Sequence, residues 1–151
     1  MGDGDRFYMG VALQEAHQAY LLGEVPIGAV VVRNQEVIGR GHNMRETWKD
    51  PTAHAEIIAI KEACRRVGGW RLTESTLYVT IEPCPMCAGA IVLARLPRLV
   101  YGARDPKGGA VDSLFDLVRR EELNHRVEVA AGILEEECRA IIQKFFRELR
   151  S

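Results

Sequence analysis

Thr76-Leu77-Tyr78-Val79-Thr80-Ile81, followed at once by Glu82-Pro83-Cys84-Pro85-Met86-Cys87, is the stretch that decides how this 151-residue chain folds. The first six residues are β-branched, aromatic or aliphatic, the composition of a buried strand. Pro83 ends that strand and suits the first position of a helix, which the small and apolar run from Met86 to Leu93 continues. Cys84 and Cys87, three apart in the first turn, then share one helix face. A helix N-terminus carries partial positive charge, which lowers a thiol pKa and favours the thiolate that a metal needs.

Thirty residues upstream, His54-Ala55-Glu56 opens a second predicted helix that runs to Val67. Pro51-Thr52 before it supplies a rigid turn and a candidate N-cap. If the two helix starts converge, His54 meets Cys84 and Cys87, giving one imidazole and two thiols with no evident fourth ligand. Structural zinc sites close the metal with four protein ligands, whereas hydrolytic sites leave one position open for water. Three ligands therefore point to one catalytic zinc per chain. Glu56, two residues beyond His54, is placed to act as general acid and base beside the open position. A thioredoxin-like redox site also begins with Cys-x-x-Cys after a strand, but that reading leaves His54 and Glu56 without a role. Cys64 and Cys138 sit on apolar helix faces and read as small core residues.

Working outward, Asp5 to Leu22 reads as a helix ending at Gly23. Ile27 to Val32 and Val37 to Arg40 read as two strands of a hairpin around Asn34-Gln35. A strand at Leu99 to Tyr101, a loop at Gly108-Gly109, a short helix from Ser113 to Arg120, a strand at Val127 to Ala130 and a helix from Glu135 to Leu149 complete the pattern. Helices interleaved with strands imply an α/β chain: a three-layer α/β/α sandwich with a mixed sheet of about five strands. The length, with 47% hydrophobic residues, suits one domain spanning residues 1–151 with a sizeable core. No run is long enough to span a membrane. The N-terminus lacks a basic start with an apolar core, so a cytoplasmic chain with reduced thiols is expected.

His-Ala-Glu with Pro-Cys-x-x-Cys resembles the signature of the zinc-dependent nucleoside and nucleobase deaminases, the cytidine deaminase-like superfamily. More narrowly, nearly the whole chain resembles the bacterial tRNA-specific adenosine deaminases. That resemblance rests on Glu24-Val25-Pro26-Ile27-Gly28-Ala29-Val30, Asp50-Pro51-Thr52-Ala53-His54-Ala55-Glu56, Leu77-Tyr78-Val79-Thr80, Gly102-Ala103-Arg104-Asp105, Asn124-His125-Arg126-Val127 and Phe145-Phe146. It implies hydrolysis of adenosine to inosine at the wobble position of a tRNA anticodon, with Glu56 moving protons between water, the ring nitrogen and the departing ammonia. It also implies a homodimer, with RNA contacts contributed across the interface.

The substrate contacts that follow are individually weaker. Asn43, after the second strand, offers a donor and an acceptor to a base or ribose, or else bonds its own turn. Asp105 is placed by the resemblance at the target ribose, where accepting from a 2′-hydroxyl would distinguish RNA from DNA; otherwise it caps its loop. Val25 reads as packing against the base, and the Ala55 backbone amide as helping to orient it. Net charge of −1 does not advertise a nucleic-acid binder, so phosphate contacts require cations gathered on one face. Arg40, Arg45, Lys49, Arg104, Lys107 and Arg126 are available in or near loops, with Arg104 and Lys107 the leading candidates. Phe145 and Phe146, adjacent on a helix, cannot both face the core, so one is free for RNA or an interface. The closest rival is a free-base deaminase such as one for guanine, in which Pro85 also occurs. A zinc-stabilised binding module without turnover would have no need of Glu56.

Overall fold

The computed structural model describes residues 2–151, with side chains from Gly4 onward. Ten elements follow in order: α1 (Gly2–Leu21), β1 (Gly28–Arg33), β2 (Glu36–His42), α2 (Arg45–Trp48), α3 (Ala55–Val67), β3 (Ser75–Ile81), α4 (Pro85–Leu93), β4 (Arg98–Ala103), β5 (Glu128–Ala131) and α5 (Glu135–Arg150). The five strands form one sheet in the order β2-β1-β3-β4-β5. β1 runs antiparallel to β2 and β3, while β3, β4 and β5 run parallel. The β1–β2 hairpin turns at Asn34 and Gln35, both with positive φ, as a tight turn of this hand demands.

Successive strand residues face opposite sides of a sheet, and each side here has its own core. Ala29, Val31, Leu77, Val79, Leu99 and Tyr101 pack with residues of α3 and α4. Val30, Val32, Tyr78 and Val100 face the other way and meet Met9 and Ala12 of α1 and Cys138 of α5. The result is the expected α/β/α sandwich on a mixed sheet. α3 lies unusually close to the sheet because β2 carries glycine where the helix passes. A Cβ on Gly39 would stand 2.2 Å from the Ala59 carbonyl oxygen, and one on Gly41 2.3 Å from that of Ala55.

Three local expectations need correction. Pro85, not Pro83, is the first residue of α4, and Cys84 is its N-cap. His54 likewise caps α3 from outside, in place of Thr52, whose amide and hydroxyl both donate to Asp50. Residues 113–120 form turns, not a helix. The amides of Asp112 and Ser113 donate to Glu82, and that of Arg119 donates to the Asp116 carboxylate. In a helix over 113–120 the Leu117 and Arg119 amides would donate to the carbonyls of Ser113 and Phe115; Leu117 donates to Ala110 instead, and Arg119 to Asp116. Among the described residues, no helix is long and apolar enough to cross a membrane.

The registers place the functional segments together. Gly28 pairs with His42, Ala29 with Val79, and Ile81 with Ala103. Residues 25–27, 43–45, 82–84 and 104–107 therefore leave the sheet at one end, where open α/β sheets bind ligands beyond their strand ends.

Candidate active site

The N-termini of α3 and α4 meet at this end of the sheet, on the face that the two helices share. Both N-caps have extended backbone, and neither makes a side-chain cap bond. An N-cap side chain ordinarily satisfies its own helix; here the His54 imidazole and the Cys84 thiol turn toward each other instead. His54 Nδ1 lies 3.6 Å from Cys84 Sγ and 3.6 Å from Cys87 Sγ. The ligand atoms of all three residues lie within 4.8 Å of one another. With zinc bonds of about 2.3 Å to sulfur and 2.05 Å to nitrogen, tetrahedral geometry separates the two ligand types by about 3.6 Å. The donor set and its spacing thus fit zinc.

Electrostatics reinforce that fit. Hydrogen bonding from Cys87, aided by the facing imidazole, pulls the Cys84 thiol down to about 4. Cys87, tied to Cys84 and buried, is pushed the other way. His54 is raised by its Cys84 partner. Such a cluster shares too few protons among too many acceptors, and a dication would replace them and hold both sulfurs as thiolates. Glu56 is 3% exposed and faces Cys87. Burial raises its carboxyl to about 7, where accepting and giving a proton are nearly balanced at neutral pH.

Above this cluster opens a cavity of about 990 Å³. His54, Ala55, Glu56 and Cys84 line it, together with Val25, Ile27, Asn43 and Ile81. Asp105 and Lys107 reach it from the β4–β5 loop, and Arg45 from α2. Asn43 is buried, donating to the Val25 carbonyl at 3.2 Å and accepting from the Arg45 amide at 3.3 Å. It therefore shapes its own turn, and also keeps one N–H and a lone pair for a ligand. Asp105 Oδ1 accepts from the amides of Lys107 and Gly108, so the loop-capping role is real; its carboxylate nonetheless borders the cavity.

The expected cations divide. Arg45 and Lys107 line the cavity, whereas Arg40 pairs with Glu15 at 3.0 Å. Lys49, Arg104 and Arg126 are exposed and stand outside the lining. Arg104 thus stands outside the lining, although Asp105 directly after it lines the cavity. The two phenylalanines also separate: Phe146 lines the cavity, while Phe145 packs edge-on to Tyr20 of α1.

Four further residues carry the site and were not expected. Arg147 and Arg150 of α5 line the cavity and complete a cationic rim with Arg45 and Lys107. Gln143, Arg147 and Arg150 recur at helical spacing, a signal of a shared face, but which face meets the site depends on how α5 docks. α5 docks through Cys138, which is buried among side chains of α1 and the sheet, and Tyr20 adds a hydrogen bond to Glu148. Glu24 and Glu82 are each 1% exposed. Glu24 accepts from the amides of Glu46 and Thr47, at 3.1 and 2.6 Å, and from the Thr47 hydroxyl. Glu82 grips the opposite loop in the same way. For Glu82, its place directly after a strand and next to proline was the available sign.

Residues 4–150 match the model of the MafB19-like deaminases. A tRNA-specific adenosine deaminase of Bacillus subtilis (strain 168) is 56% identical over 146 residues, which is 97% of this chain and 91% of that protein. A solved structure from a study of A-to-I editing by tRNA:A34 deaminases at the wobble position superposes with a TM-score of 0.86 and 47% identity. The match covers 89% of this chain and 98% of that one. A guanine deaminase from Bacillus subtilis, at 40% identity, covers 65% of this chain and 63% of its own, with a TM-score of 0.62. Likeness to the tRNA enzymes is therefore both higher and more complete. On these likenesses the chain belongs to the MafB19-like deaminases and, among them, to the tRNA-specific adenosine deaminases.

Proposed function

We propose that this chain, as one deaminase domain, hydrolyses adenosine to inosine at the wobble position of a tRNA anticodon. The observation that carries this reading is the His54/Cys84/Cys87 cluster with buried Glu56 at the base of a cavity rimmed by Arg45, Lys107, Arg147 and Arg150. His54, Cys84 and Cys87 would hold zinc, which supplies an open coordination position and makes water acidic enough to attack near neutral pH.

Glu56 then does the proton work. Its carboxylate takes a proton from the attacking water and gives it to the ring nitrogen beside the amine-bearing carbon. It moves the second water proton to the amine, which leaves as ammonia as the C–N bond breaks. Val25 and Ile27 offer apolar walls to the base, and Asn43 its remaining amide hydrogen. Asp105, which lines the same cavity, would accept from a ribose hydroxyl.

Two features favour RNA over a free base. The cavity lies at the upper end of sites for drug-sized ligands, far more room than one purine fills. Its rim carries four cations although the chain's net charge is −1, the gathering that phosphate contacts need. The target base must leave its stack, which is cheapest in a single-stranded loop. The family resemblance implies a homodimer, for which sedimentation is the test. Four cysteines free of disulfides suit the cytoplasm, where tRNA is found.

The test offers the enzyme an anticodon stem-loop with adenosine at the wobble position, beside free adenosine, adenine and guanine. Remote phosphates and bases help place the target, so truncated substrates should lose turnover as well as affinity. Inosine should form in the stem-loop and slow as salt rises. Ammonia from guanine with the stem-loop untouched would overturn the assignment.

A further inference from the structure

We propose that Glu82 is a positioning residue for the RNA side of the site: its carboxylate fastens the loop from Asp105 to Ser113 onto the end of β3. Asp105 and Lys107 are thereby held at a set height above the metal ligands. Residues 104–127, between β4 and β5, contain no regular helix or strand. A connection of that length without structure of its own is ordinarily a functional loop or a disordered one. Its first part, from Asp105 to Ser113, is organised largely around one carboxylate.

Glu82 Oε1 accepts from the Asp105 amide at 3.0 Å and from the Ser113 hydroxyl. Oε2 accepts from the amides of Val111, Asp112 and Ser113 at 3.1, 2.7 and 2.9 Å. Five donors thus converge on a carboxylate that is shut off from water, and charge-assisted bonds of this kind are the strong ones. The loop backbone also rests directly on the group, since a Cβ on Gly109 would stand 2.3 Å from the Glu82 carboxyl carbon. One further bond, from the Ala110 amide to the Pro83 carbonyl at 2.8 Å, repeats the attachment next to Cys84.

Glu82 precedes Cys84 by two residues, so the carboxylate is covalently referenced to the metal-ligand helix. Asp105 and Lys107 are referenced to the carboxylate. The farther part of the loop has separate ties, from Asp112 to Tyr101 and Arg119, and does not depend on Glu82 alone. On the opposite lip Glu24 holds Glu46 and Thr47 next to Arg45, so both borders of the cavity hang from buried carboxylates.

The part of this inference that concerns substrate rests on the RNA reading above; the anchoring does not. The test uses the zinc-loaded enzyme with Glu82→Gln, which keeps volume and one acceptor, and Ser113→Ala, which removes one donor. Amide exchange of the 105–113 peptide, zinc content and kinetics on the stem-loop are measured together. Glu82→Gln should speed exchange in that peptide by about tenfold or more, with zinc retained. KM for the stem-loop should rise about tenfold while kcat changes by less than about threefold, the signature of lost binding rather than lost chemistry. Ser113→Ala should move both readings the same way by less, and it carries the test if Glu82→Gln does not fold. Unchanged exchange at 105–113 would overturn the anchoring. Faster exchange with KM unaltered, or a fall in kcat alone, would overturn the positioning role. Wild-type enzyme inert on the stem-loop would instead refute the RNA reading, while the exchange result still decides the anchoring.

Discussion

Gly41→Ala should loosen the metal centre from a position that touches no ligand. β2 meets α3 through Gly39 and Gly41, and the Ala55 carbonyl oxygen would lie 2.3 Å from the new methyl group. Ordinary contact begins near 3.4 Å, so α3 must retreat by about 1 Å at its first residue. His54 is the next residue toward the N-terminus and moves with it, whereas metal-ligand distances tolerate only about 0.2 Å. Overpacking of this kind destabilises by about 1–3 kcal/mol, slightly offset by the stiffer unfolded chain. Zinc affinity should fall roughly tenfold to a hundredfold, the scale for displaced ligand supports. Gly39→Ala meets the Ala59 carbonyl, one turn farther along. It should destabilise comparably but loosen zinc less. Gly10→Ala, with open space around it, is the control. Thermal melts and competition with a chromophoric chelator measure both quantities. A Gly41→Ala protein with wild-type melting and zinc affinity, or one that matches Gly39→Ala in zinc release, would refute the reasoning.

Asp5→Asn should destabilise the fold by about 1–3 kcal/mol at neutral pH, because Asp5 takes a bidentate pair from Arg98 at 2.8 and 2.7 Å and a bond from Tyr78. Arg98 holds that carboxyl below its usual range, so the stabilisation is complete above about pH 4 and is lost as pH falls through the depressed folded-state value. Urea melts at neutral pH and near pH 3 should show the gap between wild type and variant closing; a constant gap would contradict it. Arg147→Ala with Arg150→Ala should flatten the salt dependence of stem-loop binding, by roughly 0.7 in log–log slope for each phosphate contact removed. An unaltered slope would take α5 out of the RNA surface.

Much of the fold was legible because its strands are short apolar runs with strong stops. Thr76–Ile81 reads correctly as a central strand, and Asn34-Gln35 as a hairpin turn. The meeting of His54, Cys84 and Cys87 was legible because an imidazole and two thiols at helix starts have few other uses. Ser113–Arg120 misread because its apolar residues mimic helical spacing, while the amides of Asp112 and Ser113 go to Glu82, thirty residues distant in sequence or more. Nothing local records that. Arg147 and Arg150 were passed over for a similar reason: a helix pattern shows which residues share a face, but the packing of α5 on α1 and the sheet decides what that face meets. The closeness of α3 to β2 was written in Gly39 and Gly41, yet glycine in a strand has several causes and only the packing selects one.

The most direct measurement is inosine formation in the anticodon stem-loop by Glu56→Gln, with zinc determined in the same sample. Glu56 is buried beside the ligands and binds no ion itself, so the variant should keep one zinc per chain and a normal melt. If Glu56 carries the protons of the reaction, turnover should drop by at least about a hundredfold, the lower range for a general acid and base. Turnover near that of wild type, with zinc intact, would contradict the proton-carrying role on which the proposed chemistry stands.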